Sequence, residues 1–156
     1  MKKKSFRKKI IISLLILASL VFLCWFETRV TRPARTASVR LGETTIAVEV
    51  ASTPQERYQG LSDRASLGAE NGMLYAFMPP EMTSFVMRRM DFPLDMIWIR
   101  DGQIVKIDAQ LPPEPGEPYH LYEPPIPVDY VLEVNAGFSA RHGLTPGTPA
   151  SVRYSE

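Results

Sequence analysis

Between Leu94 and Ala109 two apolar runs, Leu-Asp-Met-Ile-Trp-Ile-Arg and Gln-Ile-Val-Lys-Ile-Asp-Ala, are separated by Asp101-Gly102 alone. A two-residue connection ending in glycine constrains the chain to one local fold, an antiparallel hairpin closed by a type I′ turn. Counting outward from that turn, Trp98 faces Val105, Ile97 faces Lys106 and Asp95 faces Asp108. Like charges opposed across a ladder destabilise it, so the two aspartates demand relief. Arg88 and Arg89 stand just upstream, and Asp95 shares a face with Ile97 and Ile99. We expect Asp95 to pair with Arg88 or Arg89 on the floor of a concavity. The alternative is that both aspartates project into water beyond Pro93.

The rest of the soluble part reads as short strands. Ser38–Leu41 and Thr44–Val50 form a hairpin around Gly42-Glu43, with Ile46, Val48 and Val50 alternating inward. Thr53-Pro54-Gln55-Glu56 is a capping box with proline at the first helical position, which predicts a short helix from Pro54 to about Gln59, ended by Gly60. Met73–Phe77 and Thr83–Met90 are expected strands flanking a Pro79-Pro80 turn. Seven prolines between Pro112 and Pro127 exclude a central strand or a helix there and predict an extended loop. Val128–Val134 is a further strand, Ala136–His142 a short helix ended by Gly143, and Thr148–Tyr154 a last strand. The expected fold is mainly β: a single small antiparallel β-sandwich or barrel-like domain over 37–156 with two short helices.

Ahead of that domain the composition changes. Residues 2–9 carry six cations and no acid, and Ile10 to Phe26 is uncharged. Seventeen helical residues rise about 25 Å, a little short of the roughly 30 Å hydrocarbon core. The cationic flank keeps the N-terminus in the cytoplasm and sends the domain outside. We therefore expect an uncleaved signal-anchor helix over 10–26 and a linker to residue 36, a single-pass attachment to the cell membrane. The alternatives are secretion after cleavage around Ala34 to Ala37, where Pro33 and Arg35 intrude, and a lipoprotein at Cys24, where bulky Leu23 precedes the cysteine. Cys24 is the sole cysteine, so the domain contains no disulfide.

From Ala37 onward nine Arg and Lys face sixteen Asp and Glu, a net charge of −7. An acidic domain is a poor partner for nucleic acid. His120 and His142 are isolated, no His/Cys/carboxylate spacing fits zinc, and no phosphate loop, calcium loop or nucleophile elbow occurs. No metal or cofactor is expected, and no catalytic residue is assigned. In the strand 128–135, Asp129, Val131, Glu133 and Asn135 face one way, which makes Glu133 and Asn135 a candidate polar floor. A solvated sheet face is the ordinary reading of such a pattern. Six methionines, Met73, Met78, Met82, Met87, Met90 and Met96, cluster around the strands; Met73 and Met96 are expected in the core.

Gly-Met-Leu-Tyr-Ala-Phe at 72–77, Phe-Val-Met-Arg-Arg-Met followed by Phe-Pro-Leu-Asp at 85–95, and Leu-Glu-Val-Asn-Ala-Gly at 132–137 resemble the family called Domain of Unknown Function 192. The resemblance runs over residues 37–155. It implies a mainly β fold and assigns no activity. The family phrase commonly reads Phe-Trp-Met-(Lys/Arg)-Asn-Thr before Pro-Leu-Asp. Here Val86 stands for the tryptophan, and Arg89 and Met90 for Asn-Thr, while Arg64 fits the family's basic position.

These readings converge on candidate ligand-binding residues Arg64, Arg88, Arg89, Asp95, Asp108, Glu133 and Asn135, with the proline loop as a lid. The expected function is a membrane-anchored, extracytoplasmic, non-enzymatic binding or accessory module of the cell envelope, taking a small molecule, a glycan or an envelope protein. One alternative is an envelope glycan-processing enzyme using Asp95 and Glu133 as acid and base. Another is a protein-interaction domain with an exposed apolar strip around Met82, Met87 and Phe92.

Overall fold

The computed structural model describes residues 35–155. The anchor helix expected over 10–26 and most of the linker lie outside them. Among the described residues no helix is long and apolar enough to cross a membrane.

Seven strands build one sheet: β1 (Arg35–Leu41), β2 (Thr44–Ala51), β3 (Asn71–Glu81), β4 (Leu94–Arg100), β5 (Gln103–Leu111), β6 (Val128–Asn135) and β7 (Ala150–Tyr154). Their order across the sheet is β5-β4-β6-β3-β2-β1-β7. The two edges meet at one corner, where the Ile104 N–H donates to Thr148 O at 2.9 Å and the Ala150 N–H to Gly102 O at 2.8 Å. The sheet therefore curls into a half-barrel. Two short helices accompany it, α1 (Pro54–Gln59) and α2 (Phe138–Arg141).

The mainly β expectation holds, with one change of topology. All neighbours are antiparallel except β2 and β3, which run parallel. A parallel pair needs a crossover, and the long connection from Ala51 to Asn71, with α1 inside it, supplies one. The helix starts as its capping box requires: Thr53 Oγ1 accepts from Glu56 N, and Glu56 Oε2 accepts from Thr53 N.

The concave face is covered throughout, and the convex face is covered over β3, β6 and β4. The concave face packs Val39, Leu41, Ile46, Val48, Leu74, Ile97 and Leu132 against Phe138 of α2. The convex face of β3, β6 and β4 carries Met73, Tyr75, Val131, Met96 and Trp98, buried beneath Leu61, Met87 and Met90 from the connecting segments. β4 accordingly buries every residue from Leu94 to Ile99, as a strand does when both of its faces are covered.

Two local expectations change. β3 continues through Pro79-Pro80 to Glu81, because its ladder with β6 is interrupted between Ala76 and Glu81, where proline needs no partner. Residues 83–90 are not a strand. They form an outer layer joined to the proline loop by reciprocal hydrogen bonds between Phe85 and Tyr122, each 2.9 Å.

The register of the β4–β5 hairpin also changes. Ile99 pairs with Ile104 as counted from the turn, but Trp98 then pairs with Lys106 and Met96 with Asp108. Val105 is a bulge residue, and a second irregularity near Gln110, whose φ is +55°, brings Leu94 opposite Leu111. Asp95 and Asp108 are therefore not opposed. Asp95 lies on the concave face and Asp108 on the convex one.

Candidate functional site

Glu133 sits on the convex face of β6 between Met73 of β3 and Met96 of β4, and is only 5 % exposed. A carboxyl surrounded by apolar side chains loses its hydration, which favours the neutral form. Burial pushes Glu133 up to about 7, opposed by a single hydrogen bond, from Tyr75 Oη to Oε2 at 2.7 Å. Tyr75 is itself pushed well above its ordinary value, first by burial and then by the neighbouring carboxylate. The other Glu133 oxygen has no hydrogen-bond partner among the described residues.

The residue after α1 makes this arrangement possible. Gly60 adopts φ +49°, ψ −134°, and a Cβ there would lie 2.3 Å from Tyr75 Oη. Only glycine allows the backbone to come so close to the phenol.

Above this floor lies a cleft of about 310 Å³ between α1 and the segment 81–90, and Glu133 and Tyr75 line it. Phe77, Phe85 and Tyr58 provide aromatic walls, and Arg88 stands at the rim. Its guanidinium lies 3.8 Å from the Tyr58 ring centroid and donates to Tyr58 O. Ser62 Oγ donates to Arg88 O at 2.9 Å, which ties the two rims together. The cleft thus offers an acid able to give or take a hydrogen bond, hydroxyls, a cation and flat apolar surface.

Of the seven residues singled out from the sequence, two share this cleft: Arg88 and Glu133. Arg64 forms a bidentate pair with Glu49, at 2.6 and 2.7 Å, which holds the Glu49 carboxyl below its usual range. Arg89 pairs with Asp63 at 2.8 Å on the outside of the loop. Asp108 accepts from Trp98 Nε1 at 2.8 Å and lies 2.9 Å from Lys106 Nζ. Asn135 donates to Leu67 O and Gly68 O, bracing the loop between α1 and β3.

Asp95 corrects the expectation most sharply. It is fully buried and pairs with neither Arg88 nor Arg89. Its carboxylate accepts three backbone N–H groups, from Gln110 at 2.8 Å, Gly137 at 3.0 Å and Ser139 at 2.8 Å. Charge is held here by amide dipoles of a bulge and a helix start rather than by a cation. Asp95 and Glu133 face opposite sides of the sheet, so they form no acid–base pair. The proline loop does not line the cleft; it docks behind Phe85. The expected apolar strip is not formed either, since Met87 is 1 % exposed and Phe92 partly buried, which leaves Met82 alone of the three exposed.

The family profile of DUF192, described as Uncharacterized ACR, matches residues 37–152. The chain belongs to DUF192. A crystal structure of a protein of unknown function from Novosphingobium aromaticivorans is 32 % identical, covering 73 % of this chain and 83 % of its own, with a TM-score of 0.66. A protein from Sinorhizobium meliloti, described as a proposed transcription regulator, is 31 % identical, covering 78 % of this chain and 96 % of its own, with a TM-score of 0.70. No curated protein matches the chain. In this DUF192 member, Val86, which stands for the family's tryptophan, and Met90, which also packs into the core, both line the cleft, while Arg89 serves the outer loop.

Sequence reasoning missed Tyr75, Tyr58, Gly60 and Ser62. Tyr75 had a readable signal, because it alternates with Met73 and Phe77 toward the face that Glu133 shares. Tyr58 and Ser62 had none, since both depend on where the crossover returns.

Proposed function

We propose that this DUF192 protein is a membrane-anchored, extracytoplasmic binding module whose ligand is a small, polar, uncharged molecule seated in the Glu133 cleft. The observation that carries the reading is the Glu133 carboxyl at the cleft floor, one oxygen held by Tyr75 and the other free. The free oxygen opens on the cleft, where it can accept a hydrogen bond from a bound molecule or, when protonated, donate one. Arg88 at the rim and Glu81 and Glu133 in the lining disfavour a strong ion of either sign, whereas a hydroxylated ring or an amide can meet both and lie against Phe77 and Phe85. The basic residues at 2–9 and the uncharged run 10–26 support the anchor and its orientation. A non-enzymatic role is favoured because Asp95 faces away from Glu133. The description of the Sinorhizobium meliloti protein suggests nucleic acid, but the net charge of −7 from Ala37 onward argues against that partner here.

The test is thermal denaturation of the detergent-solubilised full chain against neutral sugars, polyols and short amides, for the wild type and Glu133→Gln. A true ligand raises the wild-type melting temperature in a concentration-dependent way, and the variant loses at least tenfold in apparent affinity. Equal shifts in both proteins, or none across the panel, sink the reading.

A further inference from the structure

A second site lies on the part of the convex face that no loop covers. Residues on β1, β2 and β7 alternate there, with Ala37, Val39, Leu41, Ile46, Val48, Ala150 and Val152 turned to the concave core. Ser38, Arg40, Thr45, Ser151 and Arg153 point the other way. The register places them side by side: Arg40 is opposite both Thr45 and Ser151, and Ser38 is opposite Arg153. Together they line a depression of about 300 Å³. The short hydroxyl side chains form its floor and the two arginines its walls.

No carboxylate lines this depression, in a domain where acids outnumber bases sixteen to nine. Glu49, the one acid on the same face of β2, is engaged by Arg64 in a bidentate pair. The Arg153 side chain makes no hydrogen bond or ion pair among the described residues. Arg40 donates from Nε to Gly42 O at 3.0 Å and reaches Glu43 only at 3.5 Å, a pair with both side chains largely in water, which contributes little. Both guanidinium groups therefore retain donors for a partner, and three hydroxyls supply more between them. Two forked cations around a hydroxyl floor suit a tetrahedral oxyanion.

We infer that this depression is an oxyanion site that takes a phosphate group, separate from the Glu133 cleft. The phosphate has two sources, a free phosphorylated solute or the headgroup of an anionic lipid. The chain itself bears on the second: eight residues separate Phe26 from Arg35, a reach of at most about 30 Å, so anchoring through residues 10–26 would tether the domain within that distance of the bilayer and leave headgroups in reach.

The test uses the full chain, isotopically labelled, in neutral-lipid nanodiscs, and reads amide chemical shifts of Ser38, Arg40, Thr45, Ser151 and Arg153. Inorganic phosphate is titrated against chloride at matched ionic strength; in parallel, nanodiscs containing about one third phosphatidylglycerol replace the neutral ones with no phosphate added. A saturable phosphate response at these amides, weakened at least tenfold in Arg40→Gln/Arg153→Gln, supports the site and a soluble source. A response to anionic lipid that the double variant abolishes supports the site and a headgroup source. Responses to phosphate and chloride of equal size, responses unchanged in the variant, or none in either arm overturn the inference. Both arginines are exposed, and unchanged shifts for β4 and β6 verify that the variant folds.

Discussion

At Glu133, the rise of the carboxyl to about 7 makes folding depend on pH. Below about 4.5 the folded and unfolded chains both hold the proton, and nothing is lost. Between there and about 7 the unfolded chain releases it while the folded one keeps it, so stability falls as pH rises. Above 7 the full penalty applies, on the order of 3 kcal/mol for such a shift. Glu133→Gln keeps the shape and removes the charge. We expect wild-type stability from urea unfolding to drop by about 2–3 kcal/mol between pH 5 and 8 relative to the variant, which becomes the more stable protein at pH 8. Parallel pH profiles for the two proteins would contradict the assignment. Glu133 was legible as a face-sharing acid, since alternation along β6 needs only the local sequence. Its burial was not, because the covering layer comes from residues 61–90, remote in the chain.

Among the elements, the bulged end of β5 and the start of α2 are joined through one side chain. Asp95 satisfies three amides that nothing else reaches. Asp95→Ala leaves all three without an acceptor, the Ser139 amide fully buried and the other two partly so, at a cost of about 3 kcal/mol, and Asp95→Asn, which keeps an acceptor but loses the charge, falls between. Denaturant midpoints of the two variants measure this; a loss below about 1 kcal/mol would show that the amides find other partners. The capping box, the Asp101-Gly102 turn and the proline loop were readable because each depends on residues within a few positions of one another. Asp95's partners were not. Counting from the turn assumed an unbroken ladder, and the charge repulsion that this count created is relieved by two bulges rather than by arginine.

For the molecule as a whole, the double covering of β4 and β6 predicts a hierarchy of stability. Amides of β4 and β6, paired on both sides and buried, open only with the whole fold, while residues 112–127 are held by few contacts and open first. Hydrogen exchange on the full chain should find Ile97 and Leu132 among the slowest amides and Tyr122 at least a hundredfold faster; comparable rates would mean that the outer layer belongs to the cooperative core. The bulge at Val105 adds a consequence for descent. Losing that one codon would close the bulge and leave Lys106, Ile107 and Asp108 opposite Trp98, Ile97 and Met96, whereas losing one from the regular stretch of β4 would turn the residues on one side of the gap to the wrong face. Gaining or losing a residue in the proline loop displaces nothing comparable. Lineages of this chain should therefore tolerate changes of length between Pro112 and Pro127, and the loss of the bulge residue itself, while keeping β4 invariant in length, however far its side chains drift.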